Sequence, residues 1–375
     1  MDTLLKFLSA AVHDTAYTPD SETDYHKLFE SAAKQNVQFL IYPALPKAGE
    51  PYAPDKETTQ IWSKSAALAA LGISYKKTQF YDVLSAIDKA GINVVLLKGF
   101  PVSALYPKPF LRLMADVDLL VDKADEARFN VVMLNCGYKI FAGDESGVVT
   151  YKKEKCYTVE LFRSINHDVV QGQLNKDVTP FESFKYVSKL ENTTHIAYIV
   201  NHIRKHLYFM GAGIRNLSDL FLALTRWEFD KTKLCALIED TGNGKLFAAL
   251  VALIEKYFDY KCPFELDKID EELPDLLLQS LLRDGIYGNK NVSNTTRAGA
   301  INKENKIKTF FKLLFPPYRV IANRYKWVNK CPILLPVGWL IRTFSAVFSK
   351  RARANFKYSM SDNAKIDYKM FQLLK

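Results

Sequence analysis

The stretch LKGFPVSALYPKPFLRLMADVDLLV, residues 97–121, decides the fold prediction and contains the candidate site. It overlaps the apolar run Val94–Leu97, which ends abruptly at Lys98 and indicates a buried strand that leads into a tight turn. In the later run ADVDLLV, strand alternation places Asp116 and Asp118 on one face and apolar side chains on the other. Two unpaired carboxylates repel each other, and hard cations such as Mg²⁺ prefer carboxylate oxygens, so the pair indicates a metal site.

An Asp-x-Asp pair at a strand end also has a plainer interpretation, in which both side chains are solvated or cap a helix. Two basic groups nearby favour an anionic ligand instead. Lys98-Gly99 would open a helix, where backbone N–H groups and the ammonium can bind a phosphate. Arg112, four residues before Asp116, could clamp a triphosphate oxygen or form a salt bridge with one of the aspartates.

The composition is that of a soluble globular protein, because 48% of the 375 residues are hydrophobic and 25% are charged. This length allows two or three packed units. The five cysteines are odd in number and widely spread, which argues against a disulfide framework and favours a reducing, cytoplasmic compartment. The N-terminal residues 1–14 read as a small amphipathic helix better than as a signal peptide.

Positive charge is concentrated at the C-terminal end. Residues 286–375 carry 18 Lys and Arg against 3 Asp and Glu, whereas residues 1–285 carry 33 against 38. The C-terminal quarter is therefore expected to meet nucleic acid, phospholipid or a phosphorylated substrate, unless it is simply a solvated basic face.

We predict an α+β chain in four segments: an N-terminal helical segment (1–90), a small mixed-sheet α/β core (91–190), a helical domain (191–285) and a basic C-terminal segment (286–375). In the first segment, a helix is predicted over Thr58–Ala90. Its apolar face would be formed by Ile61, Leu68, Leu71 and Tyr75 and continued by Phe80, Leu84 and Ile87.

The core is predicted to alternate strands and helices. Strands are expected at 92–97, 116–121, 138–142, 148–153 and 157–162, with helices near 102–106 and at 123–136. In the last strand, Glu160 shares a face with Thr158 and Phe162. Helices are expected beyond the core at 195–210, 216–226 and 233–258.

The C-terminal segment contains a polar stretch, 288–306, that reads as a linker. The run Cys331–Phe348 is the most apolar of the chain, but two prolines, a glycine and Arg342 argue against a membrane-spanning helix. We predict a helix that docks on the protein, with peripheral contact at a membrane interface as the second interpretation.

Several motifs together resemble one family. They are the Lys-Gly turn, the Tyr-Pro-x-Pro-x-x-Arg connection, the Asp-x-Asp-Leu-Leu-Val strand, the later Val-Glu-Leu strand and the HIRKH and GAGIR segments beyond it. The chain resembles the uncharacterised nucleotidyltransferases of the polymerase-beta-like superfamily. The resemblance implies that Asp116 and Asp118 are metal ligands and that Glu160 is the third carboxylate. The usual Gly-Ser pair of the superfamily is Gly99-Phe100 here, so phosphate binding is expected to depend on backbone groups and Lys98.

Three further residues are candidates for the acceptor side. His202 and His206 stand four apart on a helix, the spacing of a zinc pair. No third ligand is obvious, so lining of the acceptor cleft or simple packing is the favoured interpretation. Arg215 could line the pocket or pair with Asp219, four residues later. The many Tyr and Phe residues favour core filling over a base-stacking platform.

The predicted activity is transfer of a nucleoside monophosphate from an NTP such as ATP to an acceptor, with Mg²⁺ or Mn²⁺ as cofactor and pyrophosphate as product. The acceptor stays open among a sugar, a glycan, a metabolite, a tRNA and a protein. One alternative is a catalytically silent protein that binds a nucleotide or nucleic acid through its basic C-terminal quarter. Another is a peripheral membrane enzyme that acts on a lipid-linked or glycan acceptor.

Overall fold

The computed structural model of this protein describes residues 2–143, 148–162, 177–209, 211–285, 331–348 and 361–375, and residues 315, 317–318, 321–322, 325, 327–328 and 358. Within this part of the chain, no helix combines the length and the apolar character needed to cross a bilayer. The chain divides into two compact units, Met1–Ile203 with Ile214–Lys268, and Arg204–Gly213 with Ile269–Lys375. The division into four segments at 90, 190 and 285 stays a prediction.

The described residues form helices on both sides of the strand-rich stretch, as the α+β prediction requires. The helices are α1 Asp2–Val12, α2 Tyr25–Lys34, α3 Lys56–Lys89, α4 Gly99–Ser103, α5 Glu126–Asn135, α6 Asn192–Phe209, α7 Arg215–Arg226, α8 Lys231–Asp240, α9 Gly244–Tyr257, α10 Leu273–Asp284, α11 Leu335–Phe348 and α12 Asp362–Leu373. The strands are β1 Val94–Leu96, β2 Asp116–Val121, β3 Lys139–Gly143, β4 Val148–Lys152, β5 Thr158–Phe162, β6 Val178–Pro180 and β7 Val187–Leu190.

A seven-stranded mixed sheet forms the centre of the first unit, in the order β3-β4-β5-β2-β1-β7-β6. Strand β2 lies inside it, antiparallel to β1 and parallel to β5. The predicted alternation along β2 is confirmed, because Val117, Leu119 and Val121 lie in the buried core that also contains α3 side chains. On the opposite face, Leu120 packs with Leu97, Leu190 and Tyr198 of α6. Asp116 and Asp118 alternate with the residues of that core and therefore point to the α6 side.

Helix α3 contributes the main helical wall of the core, through a stripe that includes only part of the predicted face. It runs for 34 residues from Lys56, and the carboxylate of Asp55 caps it by accepting a hydrogen bond from the N–H of Thr58. Trp62, Phe80 and Leu84 are buried. The predicted apolar face is confirmed in its second half, where Phe80, Leu84 and Ile87 are buried. It was wrong in its first half, whose four members are exposed: Ile61, Leu68, Leu71 and Tyr75. The helix carries two apolar stripes about 130° apart, and periodicity alone does not tell which one faces the sheet.

Two other predictions differ from the structure. The strands β6 and β7 were missed, although β7 extends the sheet by pairing in parallel with β1. The single helix expected at 233–258 is two helices, because the chain turns at Gly242, where φ is +62°. The predicted linker 288–306 lies outside the described residues.

Candidate functional site

The sheet register brings three carboxylates together. On the parallel strands β2 and β5, Asp118 lies directly beside Glu160, and Asp116 lies beside Thr158. Neighbouring strands are about 4.8 Å apart, so side chains on one face of this pair meet. One carboxylate oxygen from each of Asp116, Asp118 and Glu160 lies within 4.8 Å of the others. Among the described residues, this is the group of three acidic, histidine or cysteine side chains close enough to hold a metal ion.

The three carboxylates differ in their surroundings. The Asp118 side chain is buried, whereas Asp116 at the start of β2 is more exposed and Glu160 is half-buried. Glu160 does not lie on an edge strand, because β5 has β4 on one side and β2 on the other. A donor set of carboxylate oxygens at this spacing fits a hard divalent cation such as Mg²⁺ or Mn²⁺.

The ammonium of Lys98 lies within this acidic group. Its Nζ is 2.8 Å from Oδ2 of Asp118, and it donates a second hydrogen bond to Nε2 of His202 at 3.0 Å. Burial by itself lowers the pKa of Lys98, but the charges of Asp118 and Asp116 outweigh that effect and raise the pKa above its ordinary value. Lys98 therefore carries a positive charge where a cation is needed.

Lys98 also has an unusual backbone. Its φ is +30°, a left-handed value that costs a residue with a side chain about 1–3 kcal/mol. The residue stands between β1 and α4, at the turn that the sequence predicted. Such strain persists only where the surrounding structure imposes it, and it is concentrated at functional positions. Here it accompanies a side chain that reaches both Asp118 and His202.

Arg112 lies away from solvent and binds Asp219. Its Nε and Nη2 donate to the two carboxylate oxygens of Asp219 at 2.9 and 2.8 Å, and the hydroxyl of Tyr106 donates to the same carboxylate at 2.7 Å. Burial raises the pKa of Asp219, but the Arg112 guanidinium outweighs it and holds that pKa below its usual range. The assignment of Arg112 to nucleotide binding stays a prediction. Its pairing with Asp219 favours a role in holding Tyr106 and Asp219 in place instead.

Arg215 is the more accessible arginine. Its side chain is half-buried, and Nη1 donates to the carbonyl of Leu113 at 2.7 Å, three residues before Asp116. Burial and the charge of Arg112 lower the pKa of Arg215, whereas the charge of Asp116 acts in the opposite direction. Arg215 therefore braces the segment that leads into β2.

Two other predicted site residues have a plainer setting. Gly99 begins α4, a helix of five residues, and its role in nucleotide binding stays a prediction. Its neighbour Phe100 packs on Phe80, with ring centroids 5.0 Å apart, so the position after Gly99 belongs to the hydrophobic core. His206 belongs to the second unit, and its role on the acceptor side also stays a prediction.

Sequence reasoning missed the partners of the basic residues. His202 drew attention through its spacing from His206, and no signal in the sequence indicated that it contacts Lys98, 104 positions earlier. The same holds for Asp219 and Arg112, which are 107 positions apart. These contacts depend on how α6 and α7 pack within the first unit.

The family model described as uncharacterised nucleotidyltransferase matches residues 21–259, a range that includes all three carboxylates and Lys98. No curated protein is significantly similar to this chain in sequence. The solution structure of the antibiotic-resistance factor ANT(2'')-Ia aligns with 50% of this chain and 100% of its own, at 11% sequence identity and a TM-score of 0.35. Because the family match covers more than half of the chain, the resemblance predicted from the motifs is confirmed, and this protein is a nucleotidyltransferase that belongs to the uncharacterised nucleotidyltransferase family.

Proposed function

We propose that this enzyme transfers a nucleoside monophosphate from an NTP to an acceptor in a reaction that depends on Mg²⁺ or Mn²⁺. The observation that carries the proposal is the acidic group formed by Asp116, Asp118 and Glu160, whose ligand oxygens lie within 4.8 Å of one another. Lys98 supports it, because its ammonium, 2.8 Å from Asp118, is a cation bound by one of these carboxylates.

The three carboxylates would hold the divalent ion, which when bound neutralises charge on the triphosphate. Glu160 is half-buried and lies beside Asp118, and in our proposal it accepts the proton of the attacking acceptor hydroxyl. The acceptor oxygen forms its bond to the α-phosphorus as the bond from that phosphorus to the β-phosphate oxygen breaks. Pyrophosphate leaves with the electron pair of that bond.

Two basic residues would stabilise the phosphates. Lys98 reaches the acidic group with a side chain that is 24% exposed, so its ammonium can turn from Asp118 to a phosphate oxygen. Arg215 is half-buried beside the segment that precedes Asp116, and we assign it, rather than the buried Arg112, to the nucleotide. Arg112 would instead hold Tyr106 and Asp219 in place behind the site.

The test is pyrophosphate release from each NTP, with and without Mg²⁺ or Mn²⁺, using cell-extract fractions as the source of acceptor. We expect Asp118→Asn to lower the rate about 100-fold or more, because a buried ligand loses its charge. Asp122→Asn is the matched control, since Asp122 follows the far end of β2 and is exposed. Labelled nucleotide found in a sugar, glycan, metabolite, tRNA or protein fraction would identify the acceptor.

Undiminished release by a folded Asp118→Asn variant would contradict the assignment of the carboxylates. If the wild-type protein released no pyrophosphate with any NTP, metal and fraction but bound RNA or DNA in a salt-sensitive way, the proposal would fail in favour of a silent binding protein.

A further inference from the structure

Helix α11 and the turn before it expose an apolar face. Residues Pro332–Leu334 form a 3-10 turn, and α11 follows at Leu335–Phe348. The exposed apolar side chains are Ile333, Leu334, Val337, Leu340 and Ile341, with Ile333 exposed by 87% and Leu340 by 60%. Spacings of three and four residues place them on one side of the helix. An exposed apolar face of this kind marks a site of contact with a protein or a membrane.

The opposite side of α11 is already occupied by its own unit. A Cβ atom at Gly338 would lie 2.7 Å from Cγ2 of Ile321 and 3.4 Å from Val328, so the helix backbone rests directly on these side chains. The ring of Trp339 packs edge-on against Phe315, with centroids 5.2 Å apart. The exposed face is therefore not the face through which α11 packs on the protein.

The sequence around this face is strongly basic. Between Glu304 and Asp362 there are 12 Lys and Arg residues and no Asp or Glu. Lys350 and Arg351 follow the end of α11 by two and three positions in the sequence. An apolar helix face bordered by positive charge is the pattern of helices that lie in the interface of anionic membranes.

We propose that the exposed face of α11 inserts into the surface of an anionic lipid bilayer and holds the enzyme there as a peripheral membrane protein. Two other occupants fit less well. A symmetric dimer through this face would bring two identical basic flanks together, where they repel. Nucleic acid would match the charge but would leave the aliphatic side chains of Ile333 and Leu340 without an apolar partner. The proposal is independent of the metal site and goes beyond the proposed reaction.

The test uses the full-length protein and sedimentation with vesicles of phosphatidylcholine alone, or with about one third phosphatidylglycerol. We expect binding to the anionic vesicles to be at least about 100-fold stronger, since each basic residue near such a surface adds about fivefold. Leu340→Glu should lower the partition coefficient about tenfold or more. The matched control is Leu68→Glu on α3, because Leu68 is exposed by 62% and lies in the other unit. It should change binding by less than about twofold.

Ile333→Ser provides a second variant whose exposed position gives it little influence on folding, and it should also weaken vesicle binding. Equal binding to neutral and anionic vesicles, or equal losses in Leu340→Glu and Leu68→Glu, would overturn the proposal. A dimer that Leu340→Glu dissociates, with no vesicle binding by the wild type, would assign the face to a second copy. Salt-sensitive RNA binding without vesicle binding would assign the basic flank to nucleic acid. Either result would overturn the proposal.

Discussion

Replacing Lys98 by methionine tests whether its ammonium competes with a divalent cation for the acidic group. Methionine keeps an unbranched side chain of similar length and the same backbone demand at φ +30°, so the main change is the loss of one positive charge. That charge is 2.8 Å from Oδ2 of Asp118, a carboxylate whose side chain is only 2% exposed. A divalent ion on the same carboxylate would meet the ammonium at close range.

The size of the effect follows from Coulomb's law. A charge of +1 and a charge of +2 about 5 Å apart repel each other by about 7 kcal/mol at an effective dielectric constant of about 20. The flexible lysine relieves most of this repulsion by moving away, but it then loses its contact with Asp118. We therefore expect Lys98→Met to bind Mn²⁺ about 10 to 100 times more tightly than the wild type, which corresponds to about 1.4–2.8 kcal/mol.

The assay is a titration of free Mn²⁺ by electron paramagnetic resonance, without nucleotide, alongside pyrophosphate release. The variant should bind the metal more tightly and yet react more slowly, because the proposed phosphate ligand is missing. Lys108→Met is the matched control, since Lys108 forms a surface pair with Asp14 at 2.6 Å and lies outside the acidic group. If a folded Lys98→Met protein bound Mn²⁺ more weakly, Lys98 would hold the carboxylates in position for the metal. The prediction that its ammonium competes with the metal would then be refuted. If the wild type bound no Mn²⁺ at all, the metal proposal itself would fail.

Two further predictions concern stability. Arg112→Met should lower the free energy of unfolding in urea by about 3–5 kcal/mol, because it leaves Asp219 buried without its guanidinium, and the added change Asp219→Leu should restore part of the loss. A variant that keeps its stability but raises the KM for NTP would instead return Arg112 to nucleotide binding. Burial and, second, the charge of Lys189 lower the pKa of His195 from 6.5 to about 3. Between pH 6.5 and 3 the His195 imidazole is therefore protonated in the unfolded chain and neutral in the folded protein. The free energy of unfolding should fall by about 1.4 kcal/mol per pH unit as the pH drops through this range. His195→Leu should flatten the urea-unfolding profile over that window, and an unchanged slope would contradict the assignment.

The local features of the site were predictable from sequence, because they depend on short-range rules. The bounds of β2 are those predicted, Asp116–Val121, since a two-residue period and a run of apolar side chains both indicate a strand there. The turn at Lys98 followed from an abrupt change from apolar to charged residues. Glu160 was different, because its strand was predicted from its residues but its place beside Asp118 was implied by the family resemblance.

Features that depend on contacts between residues distant in sequence were harder to predict. Helix α3 has two apolar stripes, and the core around the sheet buries the one with Phe80 and Leu84, whereas Leu68 on the other is exposed. Strand β7 has the sequence VSKL, which is too short and too polar to indicate a strand by itself. Its pairing with β1 identifies it as one. In both cases the deciding interaction is with a partner distant in sequence, so a local window contains no information about it.

The difference between local sequence features and long-range contacts also explains why Lys98 and Arg112 received similar predictions but have different surroundings. Both are basic residues near Asp116 in sequence, and charge alone made both of them candidates for the triphosphate. Burial separates them, because Arg112 donates two hydrogen bonds to the buried Asp219 and has 2% of its side chain exposed, against 11% for Asp219. Lys98 keeps 24% exposed and shares its ammonium between Asp118 and His202. A cation that must exchange partners during a reaction needs access to both of them, and a fully buried bidentate pair resists such exchange. In the proposed reaction, Lys98 is therefore the basic residue of the two that would respond to a metal and a nucleotide, while Arg112 would hold Tyr106 and Asp219 in place.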